Sequence, residues 1–383
     1  MVKRMILNET SYFGENAREV LKEEIPKRGF RKAFVVSDQS LVDFGITKKV
    51  LDILESINIP YEVYSEIKPN PVVKSVQLGV DSFKESGADF ILAVGGGSSI
   101  DVSKAIGIIS NNMEHYDVVS LSGAVNTKNK SVPIIAMPTT AGTAAEVTIN
   151  YVITDEESNT KMVCVDPNDI PVLSIIDTDL MKSMPFNLAA QTGMDALTHA
   201  IEGYITKNAW DMTDMVHLKA ITLIMDNLEE AVIEKKDDAI YNMGVAQYIA
   251  GMGFSNVGLG IVHSMAHQLG AIYDTPHGLA NAVLLPYVME FNAQNCYEKY
   301  AEIAEALDLP IEGLNYTGIT DLLISYVRGL AITLSIPQHL KDIGVKEEDL
   351  MMLSEKAIKD PCTPGNPVDV SVEDIYSIFK AAY

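Results

Sequence analysis

The sequence predicts an α/β domain on a mainly parallel sheet, residues 1–184, followed by an all-helical domain, residues 185–383. Three observations predict it. Short apolar runs alternate with amphipathic helical stretches through the first half, the pattern of βαβ units. Three consecutive glycines, Gly95 to Gly97, follow one of those runs directly. Beyond about residue 185 helical periodicity takes over and continues to the end.

In chain order, KAFVVSD (32–38) reads as a strand and is followed by a helical stretch to about residue 58. YEVYSEI (61–67) precedes a PNP turn and a second helix, and ADFILAVGGGSSID (88–101) is a β-rich run ahead of the helical KAIGIISNN. PIIAMPTT (133–140) leads into a segment of small residues. Residues 150–165 read as two strands around a polar turn, and PVLSIID (171–177) as one more. The second half predicts helices over 187–206, 211–234, 238–254, 258–272, 278–306 and 318–335. Parallel sheets bind ligands beyond the carboxyl ends of their strands, so the expected active site is a cleft between the two halves.

Composition narrows the partners. With 29 basic against 52 acidic residues the net charge is -23, which argues against nucleic-acid backbones and anionic membranes. A hydrophobic content of 47% with 21% charged residues is that of a globular chain with a large core. Cys164, Cys296 and Cys362 are odd in number and widely spaced, fitting reduced thiols better than a disulfide framework. MVKRMILNETSYFG is too short and polar for a signal peptide, and no 18-residue apolar run exists. A soluble cytoplasmic protein is expected.

AVGGGSSID sets its glycines after a buried strand and before a helix. Glycine admits close approach of a ligand, and the helix N-terminus offers free N–H groups to phosphate. The stretch lacks the third glycine of the G-x-G-x-x-G fingerprint, and a plain tight turn is the competing reading. MPTTAGTAAEVT (137–148) again ends a strand with hydroxyl residues, Thr139, Thr140 and Thr143, suited to a sugar, a phosphate or a helix cap. Asp38 ends the VVSD run. Its carboxylate suits an adenosine ribose and repels a 2′-phosphate, favouring NAD over NADP, unless it is a solvated turn aspartate.

GMDALTHAIEGY carries Asp195 and His199 four positions apart, and GLGIVHSMAHQLG repeats that spacing with His263 and His267. Each pair falls on one helical face. His277 opens the next helix after Pro276. Groups of this kind in an apolar setting need mutual satisfaction, by a hydrogen-bonded core network or by a metal. Imidazoles with a carboxylate suit zinc, iron, copper(II) or nickel. Spacing alone leaves open which of His263 and His267 is a ligand. With a nucleotide cradle, the set suggests hydride transfer with the metal as Lewis acid.

GGGSSID, MPTTAGTAAEVT, GMDALTHAIEGY and GLGIVHSMAHQLGAIYDTPHG, in this order along nearly the whole chain, resemble the iron-dependent (group III) alcohol dehydrogenases. MILNET, CVDPNDIP, YIAGMGFSNVGLG and CTPGNP extend that resemblance toward members that interconvert lactaldehyde and 1,2-propanediol. The resemblance implies a dehydroquinate synthase-like fold with an N-terminal nucleotide-binding and a C-terminal metal-binding domain. It implies Fe2+, with Zn2+ as the alternative, held by Asp195, His199, His263 and His277, and His267 as an unligated proton relay. It further implies NAD contacts from Asp38, Asn70, Gly97, Ser98, Ser99, Ile100, Asp101, Thr139, Thr140, Asn150 and Lys161. Thr148, Asn150, Phe254 and Cys362 are implied to line a pocket for a small alcohol or aldehyde, in a homodimer. Other small alcohols, 1,3-propanediol, ethanol or butanol, are the nearest alternatives, and a non-redox metal enzyme on the same scaffold a more distant one. The glycine loop departs from close relatives at Ser99 and Ile100, where a proline and a polar residue are expected.

Overall fold

Strands β2 (Ala33–Val36), β4 (Phe90–Gly95) and β6 (Ile134–Pro138) are buried at every position, as parallel strands covered on both faces must be. They belong to a computed structural model that describes residues 2–158 and 160–383 in two units, Met1–Met184 and Pro185–Tyr383. With β1 (Thr10–Gly14), β3 (Tyr61–Tyr64) and β9 (Leu173–Asp177) they form a six-stranded sheet, ordered β1-β9-β6-β4-β2-β3. Every pairing in it is parallel. Alternate residues of each strand serve opposite cores. Phe34, Ile91 and Ala93 meet Val76, Val80 and Ile106 on one face, while Val35, Leu92 and Ile135 meet Leu21, Ile25, Val50 and Leu54 on the other.

From β2 the chain runs outward to β3 and returns to β4 on the other side of β2. The order of strands therefore reverses between β2 and β4, the place where open parallel sheets take their ligands. A smaller sheet joins β5 (Gly123–Ala124), β8 (Thr160–Val165) and β7 (Asn150–Asp155), with β7 and β8 antiparallel.

The structure departs from the sequence expectation at several boundaries. β1 is an addition: TSYFG mixes polar and aromatic residues and gains strand character from its pairing with β9. The helix expected to run to residue 58 is two, Gln39–Asp43 and Ile46–Ser56, broken at Gly45, whose φ is 73°. The SSID residues already belong to the helix Gly97–Asn111, because β4 stops at Gly95.

In the second unit the helix Phe186–Ile205 is buried at every position from Thr192 onward and packs against the helices Asp211–Glu229, Asp237–Val257 and His277–Ala306. Its residues are accordingly mostly apolar or small around the circumference, with Asp195, His199 and Glu202 as the exceptions in the buried part. The helix expected over 258–272 begins at Ile261 instead, because Gly258 takes φ 84° and ends its predecessor. The helices Asp237–Val257 and Ile261–Tyr273 are thereby bent 99° apart. Among the described residues no single helix is long and apolar enough to cross a membrane.

His217 fills the space left by two glycines. A Cβ at Gly203 would stand 2.3 Å, and one at Gly253 2.1 Å, from its Nε2. Burial pushes this imidazole from 6.5 down to about 3. Between those values only the unfolded chain takes up the proton, so stability falls as pH drops through that window. Acidification from pH 7 to pH 5 is expected to cost about 2 kcal/mol through this residue. His217→Gln removes that part of the slope; urea unfolding at both pH values, followed by circular dichroism, checks it, and equal slopes would contradict it.

Candidate functional site

At the carboxyl end of β4 the glycine-loop helix Gly97–Asn111 starts from Gly96 without any side-chain cap. N–H groups at a helix start without such a cap suit an anion, although those of Ser99 and Ile100 already donate to the Gly96 carbonyl at 3.1 and 3.3 Å. The threonine loop after β6 leans on the same glycines. A Cβ at Gly97 would stand 2.8 Å from Cγ2 of Thr143, so only glycine fits there. Thr139 N–H donates to the Gly95 carbonyl at 3.0 Å, and Thr140 lies 3.4 Å from where a Cβ on Gly96 would be. Thr139, Thr140 and Thr143 thus lie against Gly95, Gly96 and Gly97 in turn. Ser99 and Ile100 are buried, Ile100 within the core beside the sheet, so neither expected cofactor contact presents its side chain at the surface.

Asp38 follows the neighbouring strand β2 and caps the helix Gln39–Asp43, accepting from Leu41 N–H at 3.1 Å. Lys161 donates to Oδ1 of Asn70 at 2.7 Å, and Asn70 holds a left-handed φ of 54°. Asp101 turns away from the loop and accepts from Val152 N–H of β7 at 3.1 Å, while burial pushes its carboxyl up to about 7.

In the helical unit Asp195, His199, His263 and His277 bring one ligand atom each to within 4.8 Å of one another. Asp195 and His199 project from one face of the helix Phe186–Ile205. The His199 ring is held between two others, 4.3 Å from Phe254 and 4.6 Å from His263. The 99° bend lets the two helices that carry Phe254 and His263 reach opposite sides of that ring. His277 comes close because Gly278 has no side chain: a Cβ there would lie 2.4 Å from the Gln191 carbonyl oxygen.

Glu202 explains the posture of His263. One of its oxygens accepts from Val262 N–H at 2.7 Å, and the other from Nδ1 of His263 at 2.6 Å. Burial pushes Glu202 up to about 7 against these donors, and burial pushes His263 down to about 3. A neutral imidazole with Nδ1 donating presents a lone pair at Nε2. His267, one turn further, joins a different group. Its Nδ1 donates to Asp360 at 2.8 Å, and Asp360 also accepts from Cys362 N–H at 2.9 Å. Burial opposes ionisation of Asp360, yet His267 and the Cys362 N–H outweigh it and hold the carboxyl below its usual range.

A sequence profile of iron-containing alcohol dehydrogenases matches residues 8–178, and one of the C-terminal region of the same family matches residues 189–383. The chain is 51% identical to lactaldehyde reductase of Escherichia coli (strain K12), with all of both chains covered. It is 41% identical to 1,3-propanediol dehydrogenase of Citrobacter freundii over 97% of each. A crystal structure of 1,3-propanediol oxidoreductase superposes with a TM-score of 0.97 at 40% identity, covering 100% of both chains.

Several residues of the site escaped the sequence reading. Glu202 had a signal: it is an acidic residue in an apolar helix, three positions after His199. Asn281, four positions after His277 on the same helix, had a similar one, whereas Asp360 had none. Lys104 lies in the apolar helix behind the glycines, fully buried. Its ammonium donates to the Thr148 carbonyl at 2.6 Å, the Thr148 hydroxyl at 2.9 Å and the Asn150 carbonyl at 2.8 Å. Thr148 is thus turned inward and buried. Lys104→Met strands these acceptors and should cost about 3 kcal/mol, read as a lower urea midpoint. A midpoint equal to that of the parent protein would refute the role.

Proposed function

The chain belongs to the iron-containing alcohol dehydrogenase family, and on that premise we propose that it interconverts lactaldehyde and 1,2-propanediol with NAD(H). The observation that carries this reading is the meeting of Asp195, His199, His263 and His277 within 4.8 Å. One carboxylate and three imidazoles fit a divalent first-row cation with bonds of ~2.1 Å, iron(II) or zinc. We assign the four as its ligands. Bound there, the metal would act as Lewis acid on the substrate oxygen while NAD exchanges hydride with the substrate carbon.

The protein's own part is to orient and to relay. Glu202 fixes the His263 tautomer that leaves the Nε2 lone pair unprotonated and able to ligate. Asp360 engages Nδ1 of His267, which leaves Nε2 of that ring to take the proton that the alcohol gives up and to pass it outward. Phe254, flat against His199, narrows the space beside the ligand set, which favours a substrate of few carbons, and Cys362 beside Asp360 bounds it further. In the α/β unit the uncapped glycine loop takes the cofactor pyrophosphate, with Thr139 and Thr140 beside it. Asp38, at the end of the neighbouring strand, takes the adenosine ribose and disfavours NADP. Asn70, Asn150 and Lys161 complete the cofactor contacts. Composition and family resemblance support a cytoplasmic homodimer.

The higher identity to lactaldehyde reductase than to 1,3-propanediol dehydrogenase, 51% against 41%, supports the substrate pair. The test is NADH oxidation with lactaldehyde and a panel of other small aldehydes, on protein loaded anaerobically with iron or with zinc. A clear preference for another aldehyde would displace the assignment. His263→Ala is expected to lose both bound metal and activity. His267→Ala should retain its metal and lose rate by about a hundredfold. Elemental analysis separates the two: metal retained without His263, or lost without His267, would overturn the ligand set.

A further inference from the structure

Asn281 is fully buried one helical turn beyond His277. Its Nδ2 lies 2.6 Å from Oδ1 of Asp195, 3.1 Å from Nε2 of His263 and 3.2 Å from Nε2 of His277. A carboxylate only accepts, so the amino edge of the amide faces the group. That orientation leaves Oδ1 of Asn281 buried without a hydrogen-bond partner among the described residues. A stranded carbonyl is costly, and the bonds made by the amino edge must outweigh it.

Because Nδ1 of His263 is committed to Glu202, Nε2 carries the ring's one available lone pair. That lone pair goes to an N–H or to a cation, never to both. We propose that Asn281 is a placeholder for the metal: its amide bridges Asp195, His263 and His277 in the metal-free protein and yields those contacts when a divalent cation binds. The inference rests on the metal reading proposed above. In the metal-free chain the amide's two N–H protons, shared among the three acceptors, supply the partial positive charge that keeps them from repelling one another. The ligand set stays assembled, and each metal ion binds at the expense of these hydrogen bonds. Asn281 therefore weakens metal retention while preserving the shape of the empty site.

The experiment compares wild type and Asn281→Ala in metal-free and zinc-loaded forms. Zinc affinity is measured by competition with a chromophoric chelator, and thermal stability by calorimetry. The variant is expected to bind zinc about tenfold more tightly, the equivalent of ~1.4 kcal/mol. Its metal-free form should melt lower than wild type while the two loaded forms melt together. Asn281→Ser, smaller but still a donor, should tighten zinc by a few-fold and serves if the alanine variant does not fold. Unchanged or weaker zinc binding, with both forms destabilised alike, would make Asn281 a packing residue and overturn the inference. Wild-type protein that takes up no zinc or iron would instead defeat the metal reading itself.

Discussion

One face of a buried helix, Phe186–Ile205, carries Asp195, His199 and Glu202 at spacings of four and three residues. Burial removes water as a partner for all three, so each must be answered by another part of the chain. The answers organise the helical unit. Glu202 takes the N-terminus of the helix Ile261–Tyr273 and the ring of His263 together, so the position of that helix and the tautomer of its first histidine follow from one carboxylate. Asp195 draws in the start of the helix His277–Ala306 through Asn281.

The α/β unit solves a similar problem with opposite charge. Lys104 is an ammonium in an apolar core, and three oxygens from residues 148 and 150 surround it. Asp101, three positions earlier on the same helix, reaches the backbone of β7. The helix that begins at the glycine loop is thus tied at its first turns to the segment following the threonine loop. Loops that look independent in the sequence are one mechanical piece.

Spacing made some of this legible. The i, i+4 pairs put Asp195 with His199 and His263 with His267 on shared faces, as helical geometry requires, and the strand-glycine-helix pattern placed the loop after β4. What spacing could not do was separate His263 from His267. The two rings are told apart by Glu202 and Asp360, 61 and 93 residues away from them in sequence, and no local pattern reveals such a distant partner. The same limit hid β1, whose strand character comes from its register with β9. The glycines misled in one respect: read as the tail of a β-rich run, SSID lies in the first turns of the helix.

The stacking of Phe254 on His199 has an evolutionary corollary. The ring of Phe254, to which the proposed function gives the task of limiting substrate size, is also one of two walls that keep an imidazole from tilting. On that proposal, shortening it to admit longer chains would loosen the same imidazole, and breadth of substrate and grip on the cation would be a linked trait. Descendants of this scaffold would then gain breadth more cheaply by changing a side chain that holds no such ring.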